Sequence, residues 1–157
     1  MVSKEDKVRK ILKAMFDIWH ETWDRNVRVF NKGLHLRKIK DRVGHWPWVY
    51  NKCRAVETVL AKLRIGHSNV KNHNYRFNLS ETPLCDCGQR ETIDHIILNC
   101  ELYCGFRFVM RMKLNDLNVP LSTKNVLGGG DFCEKTQMLI INIFASFLRK
   151  TGKLHIL

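Results

Sequence analysis

The chain has 157 residues, 45% of them hydrophobic and 27% charged, enough for one domain with an ordinary core and too apolar for a disordered chain. Its formal charge of +12 is uneven: residues 1–80 carry 18 Lys and Arg against 7 Asp and Glu, and residues 81–157 carry 9 against 8. No window approaches the ~18 consecutive apolar residues of a membrane span, and residues 1–13 lack an apolar signal core, so an intracellular setting, nuclear or cytoplasmic, is expected, with no membrane partner.

Val8, Ile11, Leu12, Met15, Trp19, Trp23 and Val27 recur at helical spacing and predict one long amphipathic helix over about 4–30, with Lys7, Lys10, Lys13, Asp17 and Glu21 opposite. Asn31-Lys32-Gly33 ends it. Residues 34–43 fit helix and loop equally. Pro47 disfavours helix at Trp46, so 44–48 reads as a turn. Cys53, Val56, Val59, Leu60 and Leu63 form the stripe of a second helix over about 51–65, with Lys52, Arg54, Lys62 and Arg64 on its basic side and Gly66 as its stop. Asn69 reads as the cap of a short helix through Phe77, and 79–83 as an extended approach to the next segment. Thr92 is an N-cap for a helix over 93–99 that continues through Tyr103, Phe106 and Met110 to Leu114. Residues 117–131 are loop-like, with Pro120 and the run Gly128-Gly129-Gly130; the run lacks the Lys-Ser/Thr sequel of a phosphate-binding loop. Met138, Ile141, Phe144, Ala145 and Leu148 give a final helix over about 132–150 a core-facing stripe. The fold class is mostly α: a small helical domain with one zinc-knuckle-like metal turn and a long N-terminal amphipathic helix. Three parts are expected, a basic helical arm at 1–45, a helical metal-binding core at 46–115, and a loop and helix at 116–157 packing on that core.

The sharpest motif is Cys85-Asp86-Cys87-Gly88, followed by His95 and Cys100. Zinc takes three or four thiolate or imidazole ligands in a tetrahedron. The first pair sits on a tight turn, where Gly88 supplies the backbone freedom, and the second pair on a short helix. The six cysteines follow no secretory signal, and clustered Cys and His in a reducing compartment favour a metal over disulfides. Two alternatives stay open: a reduced cysteine pair beside an unconnected histidine, and Cys104 in place of Cys100. Four protein ligands would close the site and leave no position for a reactive water.

The densest cationic run is Arg25, Arg28, Lys32, Arg37, Lys38, Lys40 and Arg42, with Asp41 as its one acid between 25 and 42. With Arg54, Lys62, Arg64 and Lys71 these are the expected phosphate contacts of a nucleic acid, RNA or DNA. Trp19, Trp23 and Phe30 before the run, and Trp46, Trp48 and Tyr50 after it, read first as core and second as base-stacking surfaces. An acidic protein would satisfy the same charge. A protein-interaction module is therefore the competing reading, with helices 4–30 and 132–150 docking a partner or a second copy. The sequence holds no nucleophile elbow, zinc-protease helix, paired-aspartate polymerase motif or Walker motif, and its acids are scattered, so catalysis is not expected. His67 and His73 read as surface or capping residues.

Leu63-Arg64-Ile65-Gly66-His67-Ser68, Leu84-Cys85-Asp86-Cys87-Gly88 and Glu91-Thr92-Ile93-Asp94-His95-Ile96-Ile97-Leu98-Asn99-Cys100, taken in order, resemble the tail of non-LTR, jockey-like retrotransposon polyproteins. That tail follows the reverse transcriptase and RNase H domains. Trp46-Pro47 and the closing Ile143-Phe144 to Thr151-Gly152 are also similar to it. The resemblance covers roughly residues 19–157. It implies a Cys/His zinc-finger-like segment that holds element RNA or target DNA, with Cys85, Cys87, His95 and Cys100 as ligands. The polymerase and RNase H motifs of the parent polyprotein are absent, so an inactive remnant of that enzyme is a further alternative.

Overall fold

The computed structural model describes residues 3–41, 43 and 53–154. Its α-helices are α1 (Lys4–Phe30), α2 (Leu34–Ile39), α3 (Arg54–Ile65), α4 (Lys71–Tyr75), α5 (Cys104–Asn115), α6 (Thr123–Val126) and α7 (Glu134–Lys150), with a π-helical turn at His95–Asn99 and a 3-10 turn at Glu101–Tyr103. The described residues contain one antiparallel bridge, Leu84 to Arg90, and no named strand. The mostly-α class stands. The turn expected at 44–48, Arg42 and Tyr50 lie outside the described residues. No helix among those described is long and apolar enough to cross a membrane.

Ser3 caps α1 by accepting the Asp6 amide at 3.1 Å, and Glu5 and Asp6 complement the positive helix start. The helix ends at Asn31, which takes the left-handed conformation at φ +53°. No residue of α1 is buried. Val8, Ile11, Leu12 and Met15 face solvent, and Trp19 is 62% exposed, so the first reading of Trp19 and Phe30 as core residues fails. The reason is geometric: among the described residues, α1 meets the rest of the protein through its last turns. There Asp24 pairs with Arg37 at 2.7 Å, and Arg37 lies over the Trp23 ring at 5.2 Å from its centroid.

The ambiguous stretch after α1 contains a short helix, α2, whose Ile39 enters the core. It packs against the C-terminus of α3. Gly66, the C-cap of α3 at φ +80°, faces His35 so closely that a Cβ would sit 3.2 Å from the imidazole. His35 Nε2 in turn bonds the Leu63 carbonyl at 2.6 Å, satisfying one of the orphan acceptors of the helix end. Asn69 does not cap α4. The cap position is Val70, and the Glu91 carboxylate, twenty residues on, accepts the Lys71 amide at 2.9 Å.

The core joins Val56, Val59, Leu60 and Leu63 of α3 to Met110 and Leu114 of α5 and to Ile140, Ile141, Phe144, Ala145, Phe147 and Leu148 of α7. Phe144 is fully enclosed and stacks on Phe147 with centroids 6.1 Å apart; burying such a ring contributes roughly 3 kcal/mol. Met138, expected on the core stripe of α7, is exposed, while the neighbouring Gln137 is buried and donates to the Gly130 and Phe132 carbonyls. The glycine run has a packing role. A Cβ at Gly129 would collide with the Ile39 carbonyl of α2, and one at Gly130 with the Phe132 ring.

Candidate metal centre

Residues 84–91 form a knuckle. The Leu84–Arg90 bridge closes it, the Cys85 amide donates to the Gln89 carbonyl at 2.7 Å, and the Gly88 amide donates to the Cys85 carbonyl at 2.8 Å. Gly88 turns the chain back at φ +84°, a conformation strained for any residue with a Cβ. Cys85 and Cys87 are thereby presented on one side of a single turn.

The second pair, His95 and Cys100, comes from an unexpected element. Thr92 Oγ1 accepts the His95 amide at 3.0 Å, the cap its sequence position announces. The helix then widens: the Cys100 amide reaches back five residues to the His95 carbonyl at 2.7 Å. In an α-helix, residues five apart point about 140° away from each other. The i→i+5 turn brings His95 and Cys100 onto one side, and such turns recur at functional sites. Cys100 then leaves helical geometry at φ −58°, ψ 122°, so the single helix expected over 93–114 is broken into the π turn, the 3-10 turn and α5.

The result is one cluster in which the ligand atoms of Cys85, Cys87, His95 and Cys100 all lie within 4.8 Å of one another. Cys85 Sγ is 3.7 Å from Cys100 Sγ, and Cys87 Sγ is 3.2 Å from His95 Nε2. The sulfur separation is far beyond the ~2.05 Å of a disulfide, and Cys85, Cys87 and Cys100 are in no disulfide. Cys104 stands exposed at the start of α5, outside the cluster, which removes it as the alternative ligand. Burial pushes the Cys85 thiol up to about 12. The Gln89 backbone amide holds the Cys87 thiol below its usual value, and burial keeps the His95 imidazole low and hence neutral. A neutral imidazole and thiols that ionise against a cation are the forms a metal requires. The four residues can hold one metal ion.

Three supporting residues carry no signature in the sequence. Arg107 of α5 is buried and donates to the Ile97 carbonyl at 2.9 Å and the Cys100 carbonyl at 2.6 Å, covering the orphan acceptors where the π turn ends. Glu91, buried beside the knuckle, binds the Lys71 amide and pairs with Lys153 at 3.4 Å. Lys153 lies 5.9 Å from the Tyr103 ring centroid and is itself nearly buried; burial opposes its charge, but Glu91 and Tyr103 outweigh this and the net shift is upward. Their partners are backbone carbonyls and residues up to 62 positions away, which no local pattern reveals.

The expected phosphate contacts are scattered in circumstance. Arg25, Arg28, Lys32, Lys38 and Arg54 are exposed. Lys40 and Lys62 are half-buried. Arg37 is held by Asp24, Trp23 and the Asp41 carbonyl, and Lys71 pairs with Asp86 at 2.5 Å. Arg64 is a correction. It is 4% exposed and donates to the Leu127 carbonyl at 2.8 Å, so it ties α3 to the loop after α6 and cannot reach a phosphate.

Over 135 residues, 85% of its length, the chain is 24% identical to the Retrovirus-related Pol polyprotein from type-1 retrotransposable element R1 of Bradysia coprophila. It spans 13% of that polyprotein's length. The similarity supports a retrotransposon-related origin. No protein-family model matches the chain, and no solved structure matches it.

Proposed function

We propose that this chain is a zinc-stabilised nucleic-acid-binding module corresponding to the C-terminal tail of a non-LTR retrotransposon polyprotein, without polymerase or RNase H chemistry of its own. The observation that carries the proposal is the closed cluster of three thiols and one imidazole in a chain whose similarity to a retrotransposon Pol polyprotein runs over most of its length. Zinc fits the donor set. With Zn–S near 2.3 Å, the edge of a tetrahedron is about 3.8 Å, close to the 3.7 Å between Cys85 and Cys100. Four protein ligands make the site structural, and zinc there would cross-link the knuckle to the π turn. The exposed Arg25, Arg28, Lys32, Lys38 and Arg54, with the half-buried Lys40 and Lys62, supply sequence-independent attraction to phosphates. A nuclear or cytoplasmic setting keeps the thiols reduced.

The test is affinity for labelled RNA and DNA at two salt concentrations. Affinity is expected to fall steeply with salt, and reversing Arg25, Arg28 and Lys32 to Glu should weaken binding to all sequences about equally. Binding that ignores both salt and the triple reversal overturns the proposal.

One observation favours a second reading, a protein-interaction module: α1 carries exposed Val8, Ile11, Leu12, Met15, Phe16, Ile18 and Trp19 and buries none of them. α7 does not share that role, because its apolar stripe is the core. Light scattering across a concentration series distinguishes the two; a stable dimer that Leu12→Glu dissolves supports the interaction reading.

A further inference from the structure

Beside the candidate metal centre lies a cleft of about 400 Å³, of which the function above uses only the charge of Lys38. Its walls come from three stretches: His35 and Lys38 of α2, the run from Gly66 at the end of α3 through Val70 to Asn72, His73 and Arg76 of the α4 segment, and residues 92–94, which lead directly into the π turn. Lys38 and Arg76 bring two permanent cations, and neither is in an ion pair with a described carboxylate. The one acid on the wall, Asp94, accepts the Thr123 hydroxyl at 2.6 Å. Burial first, and then the neighbouring His67 and Arg76, disfavour the charged form of His73.

The rim of the cleft is aromatic. The His73 ring meets His67 at 5.4 Å and Phe77 at 5.0 Å between centroids. Phe77 is 58% exposed. Apolar rings left in solvent beside unpaired cations are the combination on which unpaired bases stack while their phosphates are neutralised. Duplex bases are already stacked on each other and have no face to offer.

We propose that this cleft binds a single-stranded nucleic acid, with Lys38 and Arg76 on a phosphate and Phe77 and His73 stacking on the adjoining base. The proposal rests on the nucleic-acid reading above and assigns it a strand preference and a place. Because residues 92–94 form one wall, the metal centre fixes the cleft's shape as well as its own.

The test is fluorescence anisotropy of the metal-loaded full chain with single-stranded RNA, single-stranded DNA and the matching duplex. The variants are Phe77→Ala, the pair Lys38→Glu with Arg76→Glu, and Arg25→Glu with Arg28→Glu as the arm control. All these side chains are exposed, and helicity and metal content verify the folds. Phe77→Ala is expected to weaken single-strand binding about tenfold and duplex binding little. The Lys38/Arg76 pair should reduce the salt slope for single strands by about 1.4; which strand, RNA or DNA, responds more identifies the chemistry. Unchanged binding by both cleft variants, with loss on the arm control, overturns the cleft and leaves the general function standing. Absence of any binding by the wild-type chain overturns both.

Discussion

Glu91 joins three segments at once: its carboxylate caps α4, its backbone closes the knuckle by accepting and donating at Asn72 and Pro83, and its charge meets Lys153 from the chain's far end. Removing one partner of a buried ion pair leaves the other charge uncompensated, so Glu91→Gln is expected to cost about 3 kcal/mol in chemical denaturation. The upward shift at Lys153 sets the sign of its pH dependence. Its contribution is fully present below the ordinary lysine value of about 10.4 and is lost as pH rises through the higher folded value. In Glu91→Gln that alkaline loss should shrink. At the metal centre the sign is opposite. A Cys85 thiol near 12 in the absence of metal gives up a proton when the ion binds, so acid favours release. The low His95 value delays this, and metal is expected to remain bound at the ordinary histidine value of about 6.5 and to leave on further acidification, as followed by a chromogenic chelator. Cys100→Ser should lose the ion and Cys104→Ser should keep it. Retention by Cys100→Ser with loss by Cys104→Ser would mean a different ligand set.

At the scale of elements, α1 differs from the rest. It is the longest helix described and contributes no buried residue. Substituting Ile11→Glu with Met15→Glu should therefore change the unfolding free energy of the body by no more than about 0.5 kcal/mol. A large loss would mean that this face packs inside. The sequence shows α1 clearly, because a 3.6-residue stripe marks a helix whether its partner is the same chain or another molecule; it does not show that the stripe stays uncovered. α3 and α7 are legible for the same reason, and the Gly66 stop holds because that residue has positive φ. The π turn is invisible to periodicity. Its presence follows from five-residue spacing between two ligands that must face one point, and from Arg107 waiting to cover the freed carbonyls. The cluster of Cys85, Cys87, His95 and Cys100 could be read from the sequence because metal chemistry constrains residue types locally. The cleft at His73 and Arg76 could not, because its walls meet only in the fold.

For the whole molecule, the charge asymmetry and the metal centre describe two halves of one device. In the function proposed here, the cation-rich N-terminal half would attract a polyanion from a distance, and a metal held by the cluster would fix the segment that shapes the cleft beside it. Removing the ion should leave the salt-dependent attraction partly intact while reducing single-strand preference. Native mass spectrometry of the purified chain mixed with a single-stranded oligonucleotide tests the central claim in one spectrum. The expected species has the mass of one chain, one zinc ion and one strand, and its abundance declines as the ionic strength of the spray solution rises. A folded chain that carries neither zinc nor strand at low ionic strength would contradict it.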